Sequence, residues 1–120
     1  MAINTQELFR QKQVQFGAGS SPARFTADFL TALKRAQRDM ATRSGVSSDY
    51  ITNVYEDVDM DNAYEPYLGA VLDFHLLSLG HNPGTDIGVA GALRMDALRD
   101  AQMHNWENDI TVATKLDIDS

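Results

Sequence analysis

The sequence predicts an all-α protein, a small helical bundle of three main helices with extended N- and C-terminal arms. Two stretches carry apolar residues at the spacing of a helix face, and a third is apolar on almost every side. Residues that start or stop helices flank these stretches. At 120 residues the chain has the size of one domain, with residues 1–20 as an N-terminal arm, 21–110 as the helical core and 111–120 as a C-terminal arm.

The N-terminal arm is rich in glutamine and ends in a glycine-containing run, which is a flexible composition. A short helix over residues 5–15 is compatible with it, since Asn4 and Glu7 have the spacing of a capping box. Phe9 and Phe16 are its large apolar anchors. We therefore expect the arm to become ordered against another molecule, with these two phenylalanines as contacts.

The first main helix is predicted over residues 22–43. Ser21 and Pro22 form a helix start, because a side-chain oxygen caps the first amides and proline suits the first helical position. Gly45 is a typical stop. Its apolar face consists of Phe25, Phe29, Leu30, Leu33, Ala36 and Met40.

The linker over residues 46–60 mixes β-branched and aromatic residues, which predicts a loop with one short strand. At its end Asp57, Asp59 and Asp61 match the first ligand positions of a calcium-binding loop. The match fails further on, because the positions that need a glycine and a bidentate glutamate hold other residues. We interpret the three aspartates as an acidic surface beside a helix start.

The second main helix is predicted over residues 62–79, where Asn62 and Glu65 have the spacing of a capping box. From Leu68 onward the helix has little polar surface, so we expect it to be buried on most sides. His75 lies in this apolar run and is interpreted as a hydrogen-bonded core histidine.

The third main helix is predicted over residues 86–110, with Trp106 either in the core or at an interface. After this helix the spacing of the apolar residues changes from that of a helix to alternation with polar residues, which predicts a strand. No partner strand is evident in the sequence. We therefore expect the C-terminal arm to pair with another chain and to insert Val112, Leu116 and Ile118 into it.

Charge and composition exclude several functions. A net charge of −7 argues against binding nucleic acid by charge neutralisation. Lys34, Arg35 and Arg38 lie off the apolar face of their helix, where they are solvated or contact an acidic neighbour. The sequence has no cysteine, no nucleophile motif and no helical pair of metal-binding histidines, so no catalytic residue, metal or cofactor is predicted. No apolar run has the length of a membrane helix, and we expect a soluble intracellular protein.

Two segments and the acidic tail after the last helix resemble small head–tail connector proteins of tailed bacteriophages, also called adaptor or head-completion proteins. The segments are FLTALKRAQR (29–38) and DNAYEPYLGAVLDFHLLSL (61–79). The most specific element is the helix start Tyr64-Glu65-Pro66. The resemblance covers residues 25–119, although many relatives carry a β-rich insertion where this chain has a short linker.

The resemblance implies a non-enzymatic virion protein of the head–tail junction, present in the host cytoplasm during assembly. It would form a ring, commonly of twelve copies, that contacts the portal protein, neighbouring copies and the tail or next connector. DNA would pass through without specific binding, and Asp57, Asp59 and Asp61 are candidates for an acidic channel surface that repels phosphates. The candidate contacts to the portal or to other subunits are Val112, Leu116, Ile118, Phe9, Phe16 and Trp106.

Two other functional classes stay open at this point. A small acidic regulatory module of the antitoxin type would share the size, charge and helical content but would not form a ring. A metal-dependent enzyme that uses Asp57, Asp59 and Asp61 is the weaker alternative, because the ligand pattern is incomplete.

Overall fold

The computed structural model describes residues 2–17, 20–81, 84 and 86–119, with side chains described up to Asn108. Within these residues the helices are α1 (Thr5–Phe16), α2 (Pro22–Ser44), α3 (Glu65–Ser78) and α4 (Ile87–Asp119). Two short strands, β1 (Ala2–Ile3) and β2 (Val58–Asp61), pair in antiparallel orientation. The predicted all-α class is confirmed, and the three predicted main helices correspond to α2, α3 and α4.

The core is built on the apolar face of α2, whose large residues Phe25, Phe29, Leu33 and Met40 are at most 1% exposed. This face packs against α3 and α4. The α4 side of the core consists of Leu98 and of the small residues Ala97 and Ala101, which allow close helix approach. The α3 side is lined by Leu68, Val71, Leu72 and Leu76.

The caps of α1 and α2 agree with the sequence. The Asn4 side chain accepts a hydrogen bond from the Glu7 amide, and the Ser21 hydroxyl oxygen accepts one from the Arg24 amide. Gly45 ends α2 with a φ of 73°, a left-handed conformation that glycine adopts without strain.

The predicted capping box at the start of α3 is wrong. Asn62 lies inside a 3₁₀ turn, Asn62–Tyr64, so its backbone is already helical and it cannot act as the cap. The Asp61 carboxylate caps instead, accepting a hydrogen bond of 2.9 Å from the Ala63 amide. The helix therefore begins one short turn after the predicted residue.

The prediction of an extended N-terminal arm is also wrong. Ile3, Leu8 and Phe16 are 4% exposed or less, and they belong to the same core as α2. Phe9 packs with its ring centroid 5.0 Å from that of Phe29. Full burial of a leucine or phenylalanine contributes about 1.5–3 kcal/mol, which favours docking the segment on its own bundle.

The predicted C-terminal strand is contradicted as well, since α4 continues to Asp119. No glycine or proline follows Gly91, so the sequence contains no residue that breaks the helix. Extending an existing helix also avoids the cost of nucleation. The side chains of Val112, Leu116 and Ile118 lie outside the described part of the chain.

Asp39 joins the three main helices. Its carboxylate oxygen Oδ2 lies 2.7 Å from Nε2 of His75 on α3 and accepts a hydrogen bond of 2.9 Å from Nε of Arg94 on α4. These side chains are largely buried, which confirms that His75 is a hydrogen-bonded core residue. Burial alone would raise the pKa of Asp39, but hydrogen bonds from Arg94 and His75 and their charges outweigh it and lower that pKa.

Lys12 and Asp73 tie α1 to α3. Lys12 Nζ lies 2.6 Å from Asp73 Oδ1, and the lysine side chain is only 11% exposed. Burial raises the pKa of the Asp73 carboxyl, an effect that the neighbouring Lys12 opposes but does not cancel. The pair therefore holds α1 in place at a desolvation cost.

The Asp39 contacts predict a pH-dependent loss of stability. Asp39→Asn should lower the free energy of unfolding at pH 7 by about 2–3 kcal/mol, because it leaves Arg94 without a buried counter-charge. Because the pKa of Asp39 is lowered in the folded chain, its carboxylate stabilises the fold at pH values above the ordinary pKa of 3.8. This stabilisation is lost as the pH falls through the lowered pKa. The deficit should therefore shrink in acid, as measured by urea unfolding at several pH values. The exposed Asp100→Asn is the control, and an equal effect of both variants would contradict the prediction.

The Lys12–Asp73 pair predicts a non-additive effect. Lys12→Met should destabilise by about 2–3 kcal/mol at pH 7, because an unpaired carboxylate stays partly buried. Because the pKa of Asp73 is raised in the folded chain, its protonated carboxyl favours the fold at low pH, and this contribution is lost as the pH rises through the raised pKa. The stability deficit of Lys12→Met should therefore grow from about pH 4 to pH 7. Lys12→Met with Asp73→Leu should return to within about 1 kcal/mol of the original chain, since both charges are gone. Additive losses in urea unfolding would refute this account of the pair.

Candidate assembly surfaces

The three aspartates of the sequence pattern lie on the exposed side of the short sheet. Along β2, Val58 and Met60 are buried while Asp59 and Asp61 are exposed, as the alternation of a strand requires. Asp57, which precedes the strand, is exposed as well. We call Asp57, Asp59 and Asp61 the acidic β2 face.

Two residues of the acidic β2 face also accept hydrogen bonds from backbone amides. Asp59 Oδ1 accepts a hydrogen bond of 2.8 Å from the Asp49 amide, and Asp61 is the cap described above. Asp57 has no hydrogen bond or ion pair to the described residues. Within the described residues, no three histidine, aspartate or glutamate side chains are grouped to hold a metal ion.

A turn beside the acidic β2 face presents an exposed tyrosine. The Glu56 carboxylate accepts hydrogen bonds of 2.8 Å from the side chains of Thr52 and Asn53, which fixes the turn before β2. Tyr55 follows on this turn with 77% of its surface exposed. An ordered, exposed aromatic next to carboxylates has the chemistry of a protein contact, since tyrosine is enriched at interfaces.

The outer side of α2 carries three basic residues, Lys34, Arg35 and Arg38, which we call the basic α2 face. All three are exposed. Lys34 Nζ lies 5.3 Å from the centre of the Tyr50 ring, a cation–π contact to the linker. Among the described residues, the guanidinium groups of Arg35 and Arg38 have neither an ion pair nor a hydrogen-bonding partner.

The outer side of α4 carries exposed apolar residues among its polar ones. Met95, Met103 and Trp106 are each about half exposed, whereas Ala97 and Ala101 of the same helix are buried. We call Met95, Met103 and Trp106 the apolar α4 face. Gln102 and the last two of these residues line an open hollow of about 310 Å³. The alternative that Trp106 belongs to the core is excluded by its 57% exposure.

A groove of about 430 Å³ runs between α1 and α3. Lys12 and Asp73 lie along it, but they are paired with each other at 2.6 Å. Their charges therefore neutralise one another, and the groove offers no unbalanced charge from this pair to a ligand.

Among the residues with described side chains, the predicted contacts Phe9, Phe16 and Trp106 are not brought together. Phe16 is 4% exposed and is part of the chain's own core, so it has little surface left for another subunit and its predicted role is corrected. Phe9 is half-buried against Phe25 and Phe29. Trp106 lies apart from them on α4, and its role as a contact stays a prediction. Whether the acidic β2 face lines a channel also stays a prediction.

Sequence reasoning missed Met95, Met103 and Tyr55 as surface residues. The signal for the methionines was the diffuse apolar pattern of the last helix, which has apolar residues on more than one side. Tyr55 gave no local signal, because a tyrosine in a linker is as compatible with burial as with exposure.

Comparison with known proteins identifies no relative. No protein-family model, no curated protein and no solved structure matches the chain. Among the described helices, none is long and apolar enough to cross a membrane.

Proposed function

We propose that the protein is a structural subunit of a bacteriophage virion that forms a ring between the portal protein and the tail or next connector. The observation that carries the proposal is the apolar α4 face, which stays half exposed on a helix reaching beyond its described bundle contacts. Exposed apolar residues gathered on one side of a helix are typical of an interaction site. The resemblance of the Tyr64-Glu65-Pro66 helix start to connector proteins indicates which kind of assembly this is.

The length of α4 supports this proposal. Its 33 residues span about 50 Å at 1.5 Å per residue, against 23 residues for α2. Asn105 contacts the bundle near the middle of α4, where its side-chain nitrogen lies 3.4 Å from the Ser44 carbonyl oxygen. From there the helix continues to Asp119, as an element suited to reach another protein.

The helical C-terminus changes the proposed docking mechanism. A strand would bind by adding its backbone to a partner sheet, but the backbone of a helix is already hydrogen-bonded internally. The C-terminal segment therefore docks through side chains, as a helix laid into a groove of the portal protein or of a neighbouring copy.

The charge of the chain suits a DNA conduit. A net charge of −7 repeated around a ring gives a strongly negative assembly. Such a wall repels phosphates and leaves a moving duplex unbound. DNA accordingly passes through the ring without chemistry or sequence recognition.

Removal of the end of α4 tests the proposal. Truncation after Ile110 should leave the unfolding temperature within a few degrees, because the described bundle contacts lie before that residue. It should abolish co-purification with the portal protein of the same phage genome. Unfolding of the truncated chain would show that the segment belongs to the monomer, and retained portal binding would contradict its docking role.

The apolar α4 face can be tested separately. Met103→Ser with Trp106→Ser should weaken portal binding or self-association at least tenfold, since central aromatic anchors dominate interface energies. Val14→Ser is the matched control, because Val14 is 83% exposed on α1, outside this face. A strictly monomeric or dimeric mass by light scattering, with and without the portal protein, would instead favour a regulatory module.

A further inference from the structure

We propose that neighbouring copies of this chain meet head to tail, the basic α2 face of one copy lying against the acidic β2 face of the next. The inference rests on the proposed function in one respect, namely that copies assemble around a ring. A ring is closed by heterologous contacts, in which each subunit uses two different surfaces. The basic α2 face and the acidic β2 face are two such surfaces, and they are complementary in charge.

Arg35 and Arg38 are placed for a partner outside their own chain. They lie three residues apart on one exposed helix face, so their like charges repel each other. No described carboxylate of the same chain relieves that repulsion. By contrast, Arg94 is bound to Asp39, and Arg99 lies 3.1 Å from Asp96. Carboxylates from another molecule would neutralise the two free guanidinium groups.

The acidic β2 face offers the groups that arginine binds well. A guanidinium forms paired hydrogen bonds with a carboxylate and also stacks on an aromatic ring. Asp57 supplies a carboxylate without an internal partner, and Tyr55 supplies an exposed ring two residues earlier. The Glu56 hydrogen bonds hold the turn that carries both residues, so binding costs little further conformational entropy.

The partner that fits is a second copy, because one sequence carries both halves of the contact. Two chains that each have a net charge of −7 repel at long range. The approach of a locally positive face to a locally negative face lowers that repulsion and selects one orientation. Within one copy the two faces do not pair, so each remains available to a different neighbour.

This arrangement gives the acidic β2 face a different place from the channel wall. Asp57, Asp59 and Asp61 would lie between copies, where they fix the orientation of neighbours. The negative character of the conduit then comes from the net charge of the assembled ring.

Charge reversal with mixing tests the inference. One variant carries Arg35→Glu and Arg38→Glu. The other carries Asp57→Lys and Asp49→Lys, where Asp49 is exposed beside Asp59 and no described residue binds its side chain. Each variant alone should lose self-association at least tenfold in sedimentation velocity at about 50 mM salt, because the substituted side chains then face side chains of like charge. An equimolar mixture should recover it, since both contacts in an alternating ring become attractive.

Several results would overturn the inference. Arg10→Glu with Arg43→Glu changes the net charge equally at two other exposed arginines and should leave association within about twofold. An equal loss in this control, or no recovery in the mixture, would refute the pairing of the two faces. A chain that stays monomeric at low salt would also refute it, even if that chain co-purifies with the portal protein and so supports the proposed function. Loss of duplex DNA binding in the Arg35 and Arg38 variant, with unchanged self-association, would assign the basic α2 face to DNA.

Discussion

The fold depends on one carboxylate, that of Asp39, because it is where α2, α3 and α4 are held in register. Apolar packing brings these helices together but has no direction, so it tolerates small shifts along the helix axes. The contacts of Asp39 with His75 at 2.7 Å and with Arg94 at 2.9 Å would be broken by such shifts. His81, buried beside Phe25, binds Asp28 at 2.7 Å and plays the same part where the chain leaves α3. The acids on the inner flank of α2 are thus paired inside the bundle, and its free basic residues are left on the outside.

The part of the fold that was predictable is the part encoded locally. Ser21 and Pro22 mark the start of α2 and Gly45 marks its end, and the helical spacing of its apolar residues identifies the buried face. The Asp39 contacts had no such signal, since His75 and Arg94 lie 36 and 55 residues away in the chain. Tertiary packing also decided the fate of the N-terminal segment. Its helix was predictable from Asn4 and Glu7, but its burial depended on a surface formed by distant residues.

The C-terminal segment shows why a short alternating pattern is weak evidence for a strand. Val112 and Leu116 are two steps of a period-two pattern apart, but they are also four residues apart, which is the spacing of one helix face. A pattern that fits both periods is decided by its surroundings. Here an established helix precedes it with no glycine or proline in between, so continuing the helix costs less than starting a strand without a partner.

The charged surfaces could be predicted from the sequence, because charged residues are usually exposed. The apolar α4 face could not, because the exposure of Met95, Met103 and Trp106 depends on which side of α4 the bundle covers. The apolar and charged surfaces are not interchangeable in the proposed assembly. Burial of the apolar α4 face contributes affinity, but an apolar face alone permits several orientations, including a closed two-fold dimer. Charged faces add less affinity and more orientation. A ring of identical subunits needs both contributions, because affinity without orientation does not select the head-to-tail contact that closes it.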